Sequence, residues 1–211
     1  YEGARKGLAA ILAGQMETSF FPVSLRDMPS AIEIEELKEM EFAIGKVKVR
    51  ARFVNHPGIC AGYRLETSTG SVAYLPDNEP YDTLRASHAG AGKEAVDEAR
   101  AYAISERAKL VRFLNKVDVL IIDAQYTDDE YAKKIGWGHG SLSSVVSLAL
   151  DADVRKLFLF HHDPEHNDTK LDEIVEAART LVLESGKSME VDAAQEGAEV
   201  WLNPNARAIE S

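Results

Sequence analysis

A single cysteine, Cys60, is the whole thiol content of the 211 residues, so no disulfide can form within the chain. That scarcity fits a reducing compartment, and the cytoplasm is the expected location. No apolar run approaches the roughly 18 residues that span a bilayer, so no membrane partner is expected. Positive charge is also scarce. Lys and Arg number 24 against 35 Asp and Glu, for a net charge of −11 and a pI near 5.0. Phosphate backbones select basic surfaces, so the balance argues against a general nucleic-acid binder. There is no internal repeat, no low-complexity stretch and no dividing linker. With 45% hydrophobic residues the chain can bury a full core, and it reads as one domain, 1–211. An initiating methionine is absent too: Tyr1 falls directly before a helical pattern, leaving room for a targeting segment, or more, ahead of it.

What is present reads in order as a mixed α and β chain. Residues 2–16 form an amphipathic helical pattern, with Leu8, Ala9, Ile11, Leu12 and Met16 on the apolar side. Residues 31–37 read as a strand. The alternation from Lys46 to Val54 predicts a further strand with one basic face, Lys48, Arg50 and Arg52. That face is either a solvated edge or one wall of an anionic-substrate cleft. A hairpin follows around Ser68-Thr69-Gly70, then a long charged helix over 92–116. The last third predicts a helix over 169–184 and short strands near 189–191 and 199–202.

The central stretch runs from Val117 to Asp168. Asp118–Asp123 reads as a buried strand ending on a carboxylate, and Thr127 to Glu130 has the spacing of a capping box. Gly136-Trp137-Gly138-His139 forces a turn, Ser141 opens an apolar-periodic helix, and Arg155–Phe160 is a second buried strand. That strand delivers His161, His162 and Asp163 at its C-terminal end, where α/β layers build sites. His56 and Asp77 also sit just past strand ends. Taken singly, each has a bland explanation. His56 suits a turn or a surface, Asp77 beside two prolines is a good turn residue, and Asp123 can simply stop a strand. The His161-His162-Asp163 and His166 cluster is harder to dismiss, since three imidazoles and a carboxylate suit a metal or a proton relay.

In combination the pieces are more specific. His56-Pro-Gly with Gly62-Tyr63-Arg64-Leu65-Glu66, a tyrosine strand ending at Asp77, then DAQYTDDEY, GWGHG and LFLFHHDPEH, resembles the metallo-β-lactamase superfamily. The similarity is greatest to its phosphodiesterase and tRNA 3′-processing ribonuclease branch, and covers about Gln15 to Leu202. The resemblance implies a four-layer αββα sandwich, an α+β fold, of which this chain holds the C-terminal portion: the second sheet with its helices, and part of the first. It implies that His56, Asp77 and His161 are metal ligands, with Asp77 bridging two metals. It also implies that Asp123 and His139 are the acid–histidine pair assisting the leaving group. His162, Asp163 and His166 are then substrate-contacting or supporting groups.

One departure stands out. The family's His-x-His-x-Asp-His signature is absent: the histidines are His56, His88, His139, His161, His162 and His166, and no pair has that spacing. Three readings follow. The chain is the C-terminal part of a longer protein, or a short relative that serves as a binding or assembly module, or His161, His162, Asp163 and His166 make a different metal site. Smaller departures are Ile122, Gly140, and Asp123 in place of the ribonuclease branch's glutamate, which shortens the reach to His139 and leans away from tRNA processing. With the site complete, the resemblance implies two zinc ions, manganese being the alternative, and attack of a metal-bridging hydroxide on a small phosphodiester or cyclic nucleotide. A lactone, thioester or other acyl hydrolase is the enzyme alternative. Partners are a small-molecule substrate, and either a second copy in a homodimer or the missing N-terminal portion. Without that portion a sheet edge and an apolar face would be left open.

Overall fold

The computed structural model of the chain describes residues 7–37, 39–81 and 92–202, in two compact units, 1–40 and 41–211. Residues 2–6 of the expected first helix and His88 lie outside the described residues. In the first unit, helix α1 (Leu8–Gln15) buries none of its residues among the described ones, so the expected apolar side forms no buried face. Its N-terminal amide at Leu8 donates to Glu36 Oε1 at 2.7 Å. The strand expected over 31–37 does not form. Ile32 and Ile34 alternate with glutamates as a strand would, but no ladder partner is present among the described residues and the segment stays irregular.

The second unit is a seven-stranded mixed sheet flanked by helices, the α+β class expected from the sequence. Its strands are β1 (Glu41–Ile44), β2 (Val47–Phe53), β3 (Ala61–Glu66), β4 (Ser71–Leu75), β5 (Val119–Asp123), β6 (Lys156–Phe160) and β7 (Glu190–Ala193). They lie in the sheet in chain order. The first four pair antiparallel and the last four parallel. Connection length explains the switch. Short turns can only reverse a strand, whereas a helical crossover returns the next strand parallel. The crossovers are α2 (Lys93–Leu114), then α3 (Asp128–Tyr131) with α4 (Leu142–Asp151), then α5 (Asp168–Glu184). The strand β1 was not foreseen; it pairs with β2 across the Gly45 turn. The strand expected at 199–202 is irregular, with Trp201 left 86% exposed.

Strand alternation gives the sheet two different faces. Ala73, Leu75, Leu120, Ile122, Leu157 and Leu159 share one face and are completely buried. They join Leu110 and Leu114 of α2, Val145, Val146 and Ala149 of α4, and Ile174 and Ala178 of α5 in one core. Leu120 sits in its middle strand, so Leu120→Ala is expected to cost about 3 kcal/mol in chemical denaturation, through lost burial plus the cavity left behind. The opposite face carries Phe42, Ile44 and Phe53, exposed by 36%, 66% and 55%.

Of the two readings open for the basic face of β2, a solvated edge or a cleft wall, neither accounts for Arg50 and Arg52, which are ion-paired. Arg52 is ion-paired with Glu106 of α2 at 2.7 Å and Arg50 with Glu66 at 2.8 Å. Neighbouring Arg64 donates to the Phe113 and Asn115 carbonyls that end α2. Arg52 and Arg64 tie the antiparallel half of the sheet to its long helix, and Lys48, the remaining basic residue of β2, is exposed. No helix among the described residues is long and apolar enough to cross a membrane.

Candidate metal centre

The parallel order of β4, β5 and β6 puts their C-terminal ends side by side, and each end delivers one polar group. Asp123 closes β5 with its side chain fully buried. A buried carboxylate needs donors on both oxygens. Here Gln125 N donates to Oδ1 at 3.0 Å and Asn78 N to Oδ2 at 3.1 Å. The third partner is His139, whose Nδ1 lies 2.9 Å from Oδ2. With the carboxylate accepting throughout, His139 carries its proton on Nδ1 and leaves Nε2 as the free lone pair. Burial pushes the Asp123 carboxyl above the usual carboxylate range, and these donors pull against it.

His139 reaches this position because of the turn before it. Gly138 has φ +98°, and a Cβ there would collide with the His56 ring and Pro57. At Gly140 a Cβ would meet the carbonyl oxygen of Asp123, so the close approach of the two segments requires glycine. The loop is closed behind His139 by a bridge between Tyr126 and Ser141, with Tyr126 N donating to Gly140 O at 3.1 Å and Leu142 N to Tyr126 O at 2.9 Å. The α3 capping box expected from Thr127 and Glu130 forms at the loop's start.

His161 follows β6 directly and has φ +58°, a left-handed conformation that a non-glycine residue adopts at a cost. Its Nε2 lies 3.0 Å from Asp77 Oδ1, and its ring meets that of His139 edge-on at 4.7 Å. Asp77, His139 and His161 each offer a donor atom within 4.8 Å of the others, the sole such group among the described residues. His56 is adjacent, its ring centroid 5.9 Å from that of His139, but its Nδ1 accepts from Gly58 N at 3.0 Å. The donor group thus holds His139 beside Asp77 and His161, with His56 at its margin. Two imidazoles and a carboxylate, about one-third exposed at Asp77 and His161, are the donor types that suit zinc. Cys60 Sγ is 3.8 Å from Asp77 Oδ2, and burial pushes its thiol up, away from the thiolate that ligates metals.

The rest of the histidine cluster turns elsewhere, so it makes no second metal site among the described residues. Asp163 accepts from Lys134 Nζ at 3.0 Å, and His166 Nε2 lies 3.0 Å from Glu130 Oε1. Lys134 Nζ also stands 4.2 Å from the centre of the Tyr126 ring. These contacts pin the loop after β6 to α3 and the turn that follows it. His162 is half-buried, with Nε2 enclosed and unpartnered.

A pH dependence follows from this cluster. Burial lowers the His162 pKa from 6.5, so its contribution to stability is present above that value and lost as pH falls through the depressed one. Asp163 is lowered from 3.8 by the Glu165 N–H and then by Lys134. Glu130, which burial pushes up, is brought below 4.5 by His166 and Thr127. Both contributions are lost at still lower pH. Asp123 runs the other way: its contribution is present below 3.8 and lost as pH rises through its raised value. Melting temperature is therefore expected to fall as pH drops below 6.5 through His162, and His162→Leu should flatten that limb.

No protein-family profile matches the chain. Sequence comparison finds ribonuclease Z of Sulfurisphaera tokodaii, 36% identical over 61 residues, which cover 29% of this chain and 20% of that protein. Ribonuclease Z of Oceanobacillus iheyensis is 21% identical over 161 residues, 76% of this chain and 47% of that protein. Among solved structures, the metallo-β-lactamase fold protein YhfI of Bacillus subtilis superposes with a TM-score of 0.53 at 18% identity, covering 75% of this chain and 51% of that one. This chain has the metallo-β-lactamase fold. It spans less than half the length of the curated relatives it matches. The strand ends that carry Asp77, Asp123 and His161 are therefore those of one sheet of a metallo-β-lactamase fold.

Glu79 went unrecognised in the sequence. It lies in the turn Pro76-Asp77-Asn78-Glu79-Pro80, whose composition reads as turn chemistry alone, yet it is only 4% exposed. No local pattern marks a carboxylate whose partners come from a loop more than 50 positions later.

Proposed function

We propose that the chain belongs to a metal-dependent hydrolase of small phosphodiesters or cyclic nucleotides, with Asp77 and His161 as metal ligands and His56 joining them. The observation that carries this reading is the convergence of Asp77, His139 and His161, with His139 held from behind by buried Asp123. When bound, zinc (or manganese), two ions in a complete site, would polarise the phosphoryl group and lower the pKa of a water molecule. Asp77 supplies the negative charge such a site needs, and His161 a neutral imidazole.

The chain's own acid–base chemistry lies with His139 and Asp123. Asp123 orients the ring through Nδ1, so Nε2, once protonated, is the atom that gives a proton to the departing oxygen. The rings of His56 and His161 flank that of His139, their centroids 5.9 and 4.7 Å away.

A small anionic substrate is favoured over structured RNA by the net charge of −11, with Arg50 and Arg52 already paired to glutamates. Acyl or lactone hydrolysis is the other enzyme class that the same donors would support. Association, as a homodimer or with an N-terminal portion, is supported by the exposed apolar face of Phe42, Ile44 and Phe53. The test is turnover by the zinc-loaded protein of an activated phosphodiester, an activated ester and a structured RNA in parallel. Phosphodiester turnover is expected. Turnover of the ester alone would move the assignment to acyl transfer, and turnover of the RNA alone to a ribonuclease. No turnover of any of them, with zinc bound, would leave a binding module.

A further inference from the structure

The Glu79 carboxylate sits where no catalytic or ligating role reaches it, yet it joins the glycine loop to the turn that carries Asp77. Its Oε1 accepts from Gly136 N at 2.6 Å and from the Tyr131 hydroxyl at 3.0 Å, and its Oε2 from Gly138 N at 3.1 Å. Its own backbone is clamped from the His56 side: Glu79 N donates to Asn55 O at 2.7 Å, and Asn55 Nδ2 donates to the Glu79 and Pro80 carbonyls. The residue before it, Asn78, gives its N–H to Asp123, and the residue before that is Asp77.

The glycine loop needs such an anchor. Gly136 and Gly138 both have left-handed φ, +88° and +98°, so the segment leading to His139 has no regular hydrogen-bond ladder of its own. Two of its amides end on the two oxygens of one buried carboxylate, a pairing that is both strong and directional. Asp123 fixes which way the His139 ring turns; nothing in that contact fixes where the His139 backbone sits. We propose that Glu79 is a positioning residue that sets the backbone of His139 against Asp77 and His161, locking the glycine loop to the turn that carries Asp77. The proposal's catalytic consequence rests on the hydrolase reading above; its structural part does not.

Chemistry distinguishes the variants. Glu79→Gln keeps the size but points an NH₂ group at one of two N–H donors, so one loop amide loses its acceptor. Tyr131→Phe removes one donor and leaves the carboxylate in place. Glu79→Asp falls short by about 1.5 Å, one carbon–carbon bond.

The experiment is amide hydrogen exchange on the metal-free chain, read at Gly136 and Gly138 and at the amides of β5 and β6 as internal controls. It is paired with kcat and KM of the zinc-loaded chain on the activated phosphodiester. Glu79→Gln is expected to lose protection at Gly136 or Gly138 by about tenfold or more with the strand amides unchanged. Its kcat should fall about 10- to 100-fold while KM stays within about threefold. Tyr131→Phe should lose less than about tenfold in kcat. Unchanged exchange at both glycines would overturn the proposal. So would equal loss across β5 and β6, which would make Glu79 a general stability residue, or a fall in kcat no larger than that of Tyr131→Phe. Should the wild-type chain hydrolyse no phosphodiester, the functional reading fails by itself, and the exchange pattern still decides whether Glu79 holds the loop.

Discussion

Asp77→Ala is expected to abolish high-affinity zinc binding and to lower phosphodiester turnover by at least about 10³-fold. The carboxylate is the one anionic donor in the group, 3.0 Å from His161 Nε2, so its loss leaves two neutral imidazoles to hold a dication. Because Asp77 is about one-third exposed and its side-chain partners are one histidine and the weak thiol donor of Cys60, the fold should lose no more than about 1 kcal/mol. Metal content after dialysis, turnover and melting temperature check the three parts together. A variant that keeps its zinc and its rate would remove Asp77 from the site.

Asp123→Asn is the second large effect, and it separates orientation from ligation. The carboxylate accepts on both oxygens, from Gln125 N on one side and from Asn78 N and His139 Nδ1 on the other. An asparagine must present its NH₂ group to one side. Turned toward His139, it reverses the imidazole so that Nδ1 becomes the acceptor and Nε2 carries the proton in the neutral ring; turned toward Gln125, it leaves that amide facing a donor. Turnover is expected to fall by about 10² to 10⁴-fold, with zinc affinity changed much less. Stability should drop by about 1–3 kcal/mol, the cost of an unsatisfied buried donor. Equal loss of zinc affinity and rate would instead make His139 a ligand first, a role its place in the donor group permits. Steady-state kinetics beside a zinc titration discriminate the two.

Much of this arrangement could be read along the chain, because the physics that writes it is local. The alternation from Lys46 to Val54, the apolar run ending at Asp123 and the run ending at Phe160 each specify a strand, and the Thr127 to Glu130 spacing specifies a helix start. A strand that stops on a polar residue places that residue at a sheet edge, and parallel order then brings Asp77, Asp123 and His161 together. What failed was whatever depends on a distant partner. Ile32 and Ile34 have the pattern of a strand without a neighbour to pair with. For Arg50 and Arg52 the alternation left a solvated edge and a cleft wall both open, and their pairing with Glu66 and Glu106 from elsewhere in the chain was not legible. His161 and His162 are adjacent in sequence but diverge in space. The left-handed turn at His161 aims it at Asp77, while Asp163 and His166 lean back on Lys134 and Glu130. Glu79 escaped notice for the same reason, its three donors lying in and beside the glycine loop.

Calorimetric titration of the metal-free chain with zinc decides whether Asp77 and His161, joined by His56, hold a metal beside His139. Saturable binding is expected, lost in both Asp77→Ala and His161→Ala while the melting temperature of each metal-free variant stays close to that of the wild type. Absence of saturable binding in the wild type, or binding that survives both substitutions, would contradict that assignment.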